Sequence, residues 1–150
     1  MTPLIRPLVA SDYEQWLPHY VKYLEFYETT PNEQSVALAW KRITASTPTI
    51  QGLGAFVDGS IVGITHFHFQ VSTWADTSHC YLEDLFVAPN FRGQGIAGAL
   101  IAEVKKIAIE QGSSELYWIT RATNETAQKI YDKVATKTNF LRYEIKLEDK

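Results

Sequence analysis

The order of strand and helix signals predicts an α/β fold class with one mixed sheet. Three observations carry this expectation. Asp58-Gly59 stands between two apolar runs and supplies the positive φ angles of a tight antiparallel hairpin. Leu85 to Leu100 passes from an apolar strand, through Pro89-Asn90 and a glycine-rich loop, into a helix. Leu116 to Thr120, nearly all apolar, follows that helix. The two strands flanking the helix should then be parallel neighbours joined by a right-handed crossover.

Each element has a local reason. Leu4 to Val9 is a short apolar run, and Pro7 places it at a sheet edge. Ser11 or Asp12 can cap a first helix along which Trp16, Tyr20, Tyr23, Leu24 and Tyr27 recur at helical spacing. Pro31-Asn32 breaks the chain before a second helix carrying Val36, Leu38, Ala39, Trp40 and Ile43. Gly54 to Val57 and Ile61 to Val71 form the hairpin, and Cys80 to Val87 is a further strand. Ile96, Leu100, Ile101, Val104, Ile107 and Ala108 make one apolar stripe on a helix ended by Gly112, with Lys105 and Lys106 solvated. Leu116 to Thr120 should be covered on both faces. Ala127, Ile130, Tyr131 and Val134 mark a last helix capped by Thr123 or Asn124, and Phe140 to Leu147 alternates as a final strand. The expected order is β-α-α-β-β-β-α-β-α-β, over a single domain of residues 1–150.

Composition narrows the function classes. The 150 residues hold 45% hydrophobic and 21% charged residues, those of a globular chain with a substantial core. Four Trp, eight Tyr and seven Phe suggest an aromatic-lined cavity or a heavy aromatic core. A net charge of −3 argues against general nucleic-acid binding. Cys80 is the single cysteine, so no internal disulfide forms, and its apolar strand reads as the site of a buried, inert thiol. No apolar run reaches the length of a membrane span, and Met1-Thr2-Pro3-Leu4-Ile5-Arg6 lacks a signal-peptide layout, so a cytoplasmic protein without membrane partners is expected.

The glycine loop is the strongest functional signal. It sets backbone N–H groups at a helix N-terminus, where they can hold phosphate. Gly93 and Gly95 let a ligand approach the backbone, and Arg92 adds a cationic fork suited to phosphate oxygens. The spacing Gly93-x-Gly95-x-x-Gly98 matches a dinucleotide fingerprint by letter, but no run of βαβ units surrounds it and no acid ends the next strand. Arg92-Gly93-Gln94-Gly95-Ile96-Ala97 matches the [RQ]-x-x-G-x-[GA] loop and resembles the GNAT superfamily of N-acetyltransferases, with Ala97 where glycine is commoner. The resemblance runs over nearly the whole chain and is densest from Tyr81 to Tyr143. It implies the GNAT fold, with the parallel pair splayed to admit a pantetheine arm. It also implies acetyl-CoA as donor substrate, with Arg92, Gly93, Gln94, Gly95, Ile96 and Ala97 at its pyrophosphate.

Acetyl transfer to an amine needs a deprotonated amine, a donor for the oxyanion and a proton for the departing thiolate. Asn124-x-x-Ala127-x-x-x-Tyr131 resembles the stretch in which GNAT enzymes place a CoA-contacting Asn and an acid Tyr; periodicity alone reads Tyr131 as core and Asn124 as a cap. Glu83 and Asp84 are odd within Tyr81-Leu82-Glu83-Asp84-Leu85-Phe86-Val87, otherwise apolar. Alternation sends adjacent side chains to opposite faces, so at least one acid should point inward and be paired. Either carboxylate could take the amine proton or attract a cation. The strand resembles that of spermidine/spermine acetyltransferases, where the residue matching Glu83 is base and amine contact. Leu85, Phe86 and Val87 would line the donor, with an oxyanion amide near Phe86 or Val87, or at Ala88. Tyr23 to Glu28 mixes aromatics and acids that suit an ammonium or simply form an amphipathic helix. His66 and His68 share a strand face; hydrogen-bonded roles outweigh a metal pair, and no metal is expected.

The reading is an N-acetyltransferase acting by direct transfer, with Tyr131 as acid and Glu83 or Asp84 as base. Its acceptor is a small primary amine, a polyamine or an amino acid. The segment from Tyr117 to Thr138 resembles a subgroup that includes histone and D-amino-acid acetyltransferases, so protein lysine acetylation is the alternative, followed by a non-catalytic acetyl-CoA-binding module. Dimerisation is common among such relatives, and a homodimer is expected, in which the C-terminal strand could take part.

Overall fold

The computed structural model describes residues 2–148. Met1, Asp149 and Lys150, which the expected domain span includes, lie outside the described residues. The elements are β1 (Leu4–Pro7), α1 (Tyr13–Phe26), α2 (Glu33–Ile43), β2 (Gln51–Val57), β3 (Ser60–Gln70), β4 (His79–Val87), α3 (Ile96–Glu110), β5 (Leu116–Tyr117) and α4 (Glu125–Val134), with short 3-10 turns at Ala10–Asp12 and Pro89–Phe91. The chain divides into two compact units between Ile119 and Thr120.

The first unit is built on a sheet of order β1-β2-β3-β4-β5. The first four strands are antiparallel neighbours, and β5 runs parallel to β4. Pro7 closes the edge strand β1, where its missing N–H costs no ladder bond. Asp58 and Gly59, at φ 50° and 81°, make the β2–β3 hairpin turn as the sequence suggests. The β4–β5 ladder consists of Cys80 opposite Leu116 and Tyr81 opposite Tyr117 and extends no further toward Val87. The expected strand to Thr120 is therefore short, and Leu116, Tyr117 and Trp118 are half-buried rather than covered on both faces.

Helices cover both sides of the sheet. Ile64 and Phe86 belong to a core cluster with Leu8, Trp16, Val36 and Ile43, under α1 and α2. One residue along β3, a side chain on Gly63 would meet Ile96 and Leu100 of α3, so alternation puts α3 on the opposite face. Ile96, Leu100, Ile101, Val104 and Ala108 are the buried stripe of α3, while Lys105 and Lys106 are exposed. Burying a stripe of this kind contributes about 1.5–3 kcal/mol for each fully buried large aliphatic side chain.

Asp12 departs from the expectation of a helix cap. Its side chain makes no cap bond to α1. Instead its carboxylate accepts from both terminal nitrogens of Arg6, at 2.8 and 3.0 Å, and from the Val9 amide at 2.8 Å. A cationic fork outbids a lone amide for a buried carboxylate.

The second unit contains α4, capped by Asn124, whose side chain accepts from the Ala127 amide at 3.3 Å. The final strand expected over Phe140–Leu147 is not formed: residues 139–147 have neither helix nor ladder. A strand exists only where a neighbouring backbone answers its N–H and C=O groups. Phe140, Leu141, Tyr143, Ile145 and Leu147 are 77–92% exposed there.

Candidate active site

The glycine loop has the geometry its sequence implies. Gly93 and Gly95 adopt left-handed backbone at φ 76° and 82°, and Gly95 is the N-cap of α3. This conformation favours glycine because a Cβ would crowd the carbonyl. The first helical bond runs from the Ala99 amide to the Gly95 carbonyl, so the amides of Ile96, Ala97 and Gly98 are first-turn donors. A side chain added at Gly93, Gly95 or Gly98 would meet no protein atom within 4 Å, so the space before this turn is open to a ligand. Arg92 is tied to the same place. Its Nε donates to the Val87 carbonyl at 3.0 Å, and its guanidinium carbon lies 5.6 Å from the centre of the Phe86 ring. Its other four N–H donors are on Nη1 and Nη2, at the end of an anchored stem. Gln94 bonds the Asn90 carbonyl at 3.4 Å within the loop.

The end of β4 supplies a second set of backbone groups. The Ala88 amide donates to Val62 at 2.8 Å, so it is engaged and does not fit the oxyanion role weighed for it. In an antiparallel ladder, hydrogen-bonded and non-bonded pairs alternate. Phe86 opposite Ile64 is then also a bonded pair, and Leu85 and Val87 turn their backbone groups away from β3. They turn toward the side where β5 pairs only with Cys80 and Tyr81.

The paired acids sit on a bulge. His66 is opposite Asp84 and Phe67 is opposite Leu82, which leaves Glu83 as an extra residue in β4. A bulge breaks the alternation, so adjacent side chains can share a face. This corrects the expectation of opposite faces: Glu83 and Asp84 both act on Tyr20 of α1. Asp84 is the inward one, with its side chain 13% exposed, and Glu83 is 43% exposed. Burial, then the neighbouring Asp84 charge, raises the Glu83 carboxyl above its ordinary range, opposed by His68 and His66. His68 Nε2 lies 3.9 Å from a Glu83 oxygen. His66 and His68 do share a face, with His66 buried and hydrogen-bonded.

Aromatic rings from α1 wall this patch. Tyr20 and Tyr23 stack at 6.2 Å and Tyr23 meets Tyr27 at 5.0 Å. Burial, Asp84 and Glu83 push the Tyr20 phenol up to about 12. Burial and Asp84 drive Tyr23 higher still. The Tyr23 hydroxyl donates to the Glu83 carbonyl at 3.3 Å. Tyr81 stacks on Tyr117 at 4.9 Å beside His68. Glu25 and Glu28 are exposed, as a solvated helix face requires. Sequence reading did not assemble Trp16, Tyr20 and His66 into this patch, because nothing local marks a contact across 46 to 50 residues. The expected inert thiol is found: Cys80 is fully buried and pushed up to about 11 by burial.

In the second unit, Asn124 caps α4 with its side chain and Tyr131 lies on that helix, and both are half-buried. Among the described residues no group of three His, Cys, Asp or Glu could hold a metal ion. No helix among them is long and apolar enough to cross a membrane. A depression lined by Leu4, Arg6, Phe56 and Asp58 lies at the β1–β2 edge, and its one cation is already committed to Asp12.

A parallel strand pair bonded over only two residues stands beside a glycine-rich helix start, in an α/β fold with one mixed sheet. Residues 9–135 match the acetyltransferase (GNAT) family model, and the chain belongs to that family of N-acetyltransferases. It is 28% identical over 142 residues to the D-amino-acid N-acetyltransferase of Saccharomyces cerevisiae, covering 93% of this chain and 88% of that one. It is 31% identical over 126 residues to the thialysine N-epsilon-acetyltransferase of Caenorhabditis elegans, covering 84% and 78%. Among solved structures, a probable acetyltransferase superposes with a TM-score of 0.87 at 22% identity, covering 98% of this chain and 99% of that one. An aminoglycoside N-acetyltransferase solved with CoA gives 0.80 at 22% identity, covering 97% and 95%.

Proposed function

We propose that this chain moves the acetyl group of acetyl-CoA to a primary amine of a small molecule by direct attack in a ternary complex. The observation that carries the reading is the Gly93–Gly98 turn, left-handed where only glycine is comfortable and open where a pyrophosphate would lie. Arg92, Gly93, Gln94, Gly95, Ile96 and Ala97 hold that pyrophosphate through amides and the anchored guanidinium. Leu85, Phe86 and Val87 line the donor, and the outward-turned Val87 amide is the donor to the oxyanion. The Asn124 amide nitrogen touches the pantetheine arm, since its oxygen caps α4. Tyr131 gives its phenolic proton to the departing thiolate, a role suited to a phenol as a proton donor.

Glu83 takes the amine proton, directly or through water. A carboxylate raised toward neutrality by burial and a like charge is better matched to that task than an ordinary one. Among acceptors, an amino acid is favoured over a polyamine. The two relatives above are named for D-amino acids and for thialysine, an amine carried on an amino-acid skeleton. The protein works in the cytoplasm as a homodimer, in which the exposed alternating tail 140–147 finds the backbone partner its own described residues do not give it.

Purified protein with acetyl-CoA should release free thiol with at least one member of a panel of D- and L-amino acids, thialysine, polyamines and lysine peptides. Tyr131→Phe should lower that turnover roughly tenfold or more and leave acetyl-CoA affinity nearly unchanged. Absence of any coenzyme A binding by calorimetry overturns the reading, and an equally active Phe variant removes Tyr131 from the mechanism.

A further inference from the structure

Trp16, His66 and Asp84 form a buried chain of hydrogen bonds that the proposed transfer does not yet use. Trp16 is fully buried on α1, and its indole Nε1–H donates to His66 Nε2 at 2.9 Å. The other ring nitrogen, His66 Nδ1, lies 2.8 Å from Asp84 Oδ2. An indole N–H can only donate, so His66 Nε2 must present a lone pair. A neutral imidazole must then carry its proton on Nδ1, and an imidazolium is excluded because it would aim one N–H at another. Asp84 Oδ2 is therefore an acceptor. Trp16 is wedged between Tyr20 and Trp40, with ring centres 4.9 and 4.6 Å away, so the donor that fixes the tautomer is itself held in place.

We propose that Trp16 and His66 are positioning residues that hold Asp84 as an oriented, negatively charged seat for the ammonium group of a cationic acceptor. The proposal rests on the amine-acceptor reading above and deepens it. Asp84 is inward on the bulge, with its side chain 13% exposed, beside Tyr20 and Tyr23 of α1, and the Tyr23 hydroxyl is hydrogen-bonded to it. Neighbouring Glu83 is more exposed and left to accept a proton, so the two acids divide the work between anchoring and deprotonation.

Nitrogen-15 NMR of histidine side chains at pH 7 should show His66 as the neutral Nδ1–H tautomer. An Nε2–H tautomer or an imidazolium overturns the lock. Butylammonium chloride should shift the Asp84 carboxylate carbon and the Tyr20 and Tyr23 ring signals, while butanol should not. No response, or the same response to both, removes the ammonium seat without touching the donor site, whose integrity calorimetry with coenzyme A reports separately. Trp16→Phe should let the neutral His66 ring populate the Nε2–H tautomer, seen in its nitrogen-15 shifts, with butylammonium bound several-fold more weakly than by the parent protein at pH 7. A variant that keeps the Nδ1–H tautomer reduces Trp16 to packing. His66→Asn, which keeps a donor near the Nδ1 position, should retain butylammonium binding that His66→Phe loses; equal losses in both variants overturn the role of that donor.

Discussion

Asp12 shows what one buried carboxylate contributes when a cationic fork closes on it. Hydrogen bonds from Arg6 hold its carboxyl below the ordinary aspartate range, aided by the Val9 amide and the Arg6 charge and opposed by burial. The stability gained is present above the unfolded value, about 3.9, and is lost as pH falls through the lower folded value. Arg6 is partly exposed, so screening limits the gain, and Asp12→Asn should cost about 2 kcal/mol at pH 7. Denaturant melts of parent and variant should draw steadily together as pH falls below about 4; a difference that is constant down to pH 3 would mean that Asp12 acts by shape alone. At this scale the sequence announced the odd residues but not their partners. Glu83 and Asp84 stood out as two acids in an apolar strand. The bulge that puts them on one face did not, because an extra residue in a ladder is defined by the opposite strand. Asp12 was readable as a cap because its neighbours are local, whereas the bidentate geometry of Arg6 requires the chain to turn back.

At the scale of elements, the glycine loop and α3 agree between local signal and final geometry. Gly93 and Gly95 need left-handed backbone, and both adopt it. This makes the cradle separable from stability by mutation. A methyl group at position 95 would meet no protein atom, so Gly95→Ala should cost only the left-handed backbone penalty of about 1–2 kcal/mol in folding. The same methyl would stand in the space proposed above for the pyrophosphate. Calorimetry should show acetyl-CoA affinity lowered tenfold or more in the folded variant, and unchanged affinity would place the anion elsewhere. Helices and the hairpin were legible because their periodicity and caps lie within a few residues. The length of β5 was not, because a strand ends where its neighbour departs. Leu116 to Thr120 is apolar throughout, yet only Leu116 and Tyr117 meet β4.

At the scale of the whole molecule, the tail carries a clear strand pattern that meets no strand among the described residues. Phe140, Tyr143, Ile145 and Leu147 are each 77–92% exposed there, and exposed apolar side chains in such a run suit an interaction surface. The pattern is local and was legible; whether a strand finds a partner depends on chain segments far from it, or on a second copy as proposed above, which no local window encodes. An edge strand of a second copy would answer the tail's backbone groups and bury its apolar side chains, in a closed pair with the same contact made twice. Light scattering behind size exclusion should therefore give twice the 17.0 kDa chain mass at micromolar concentration. Tyr143→Asp with Ile145→Asp should shift that mass to the monomer, because two charges cannot enter an apolar seam cheaply. The double variant should still bind coenzyme A, since neither substituted position belongs to the glycine loop or to the proposed contacts at Asn124 and Tyr131. A parent chain that is monomeric at every concentration tested would leave the tail without the role assigned to it.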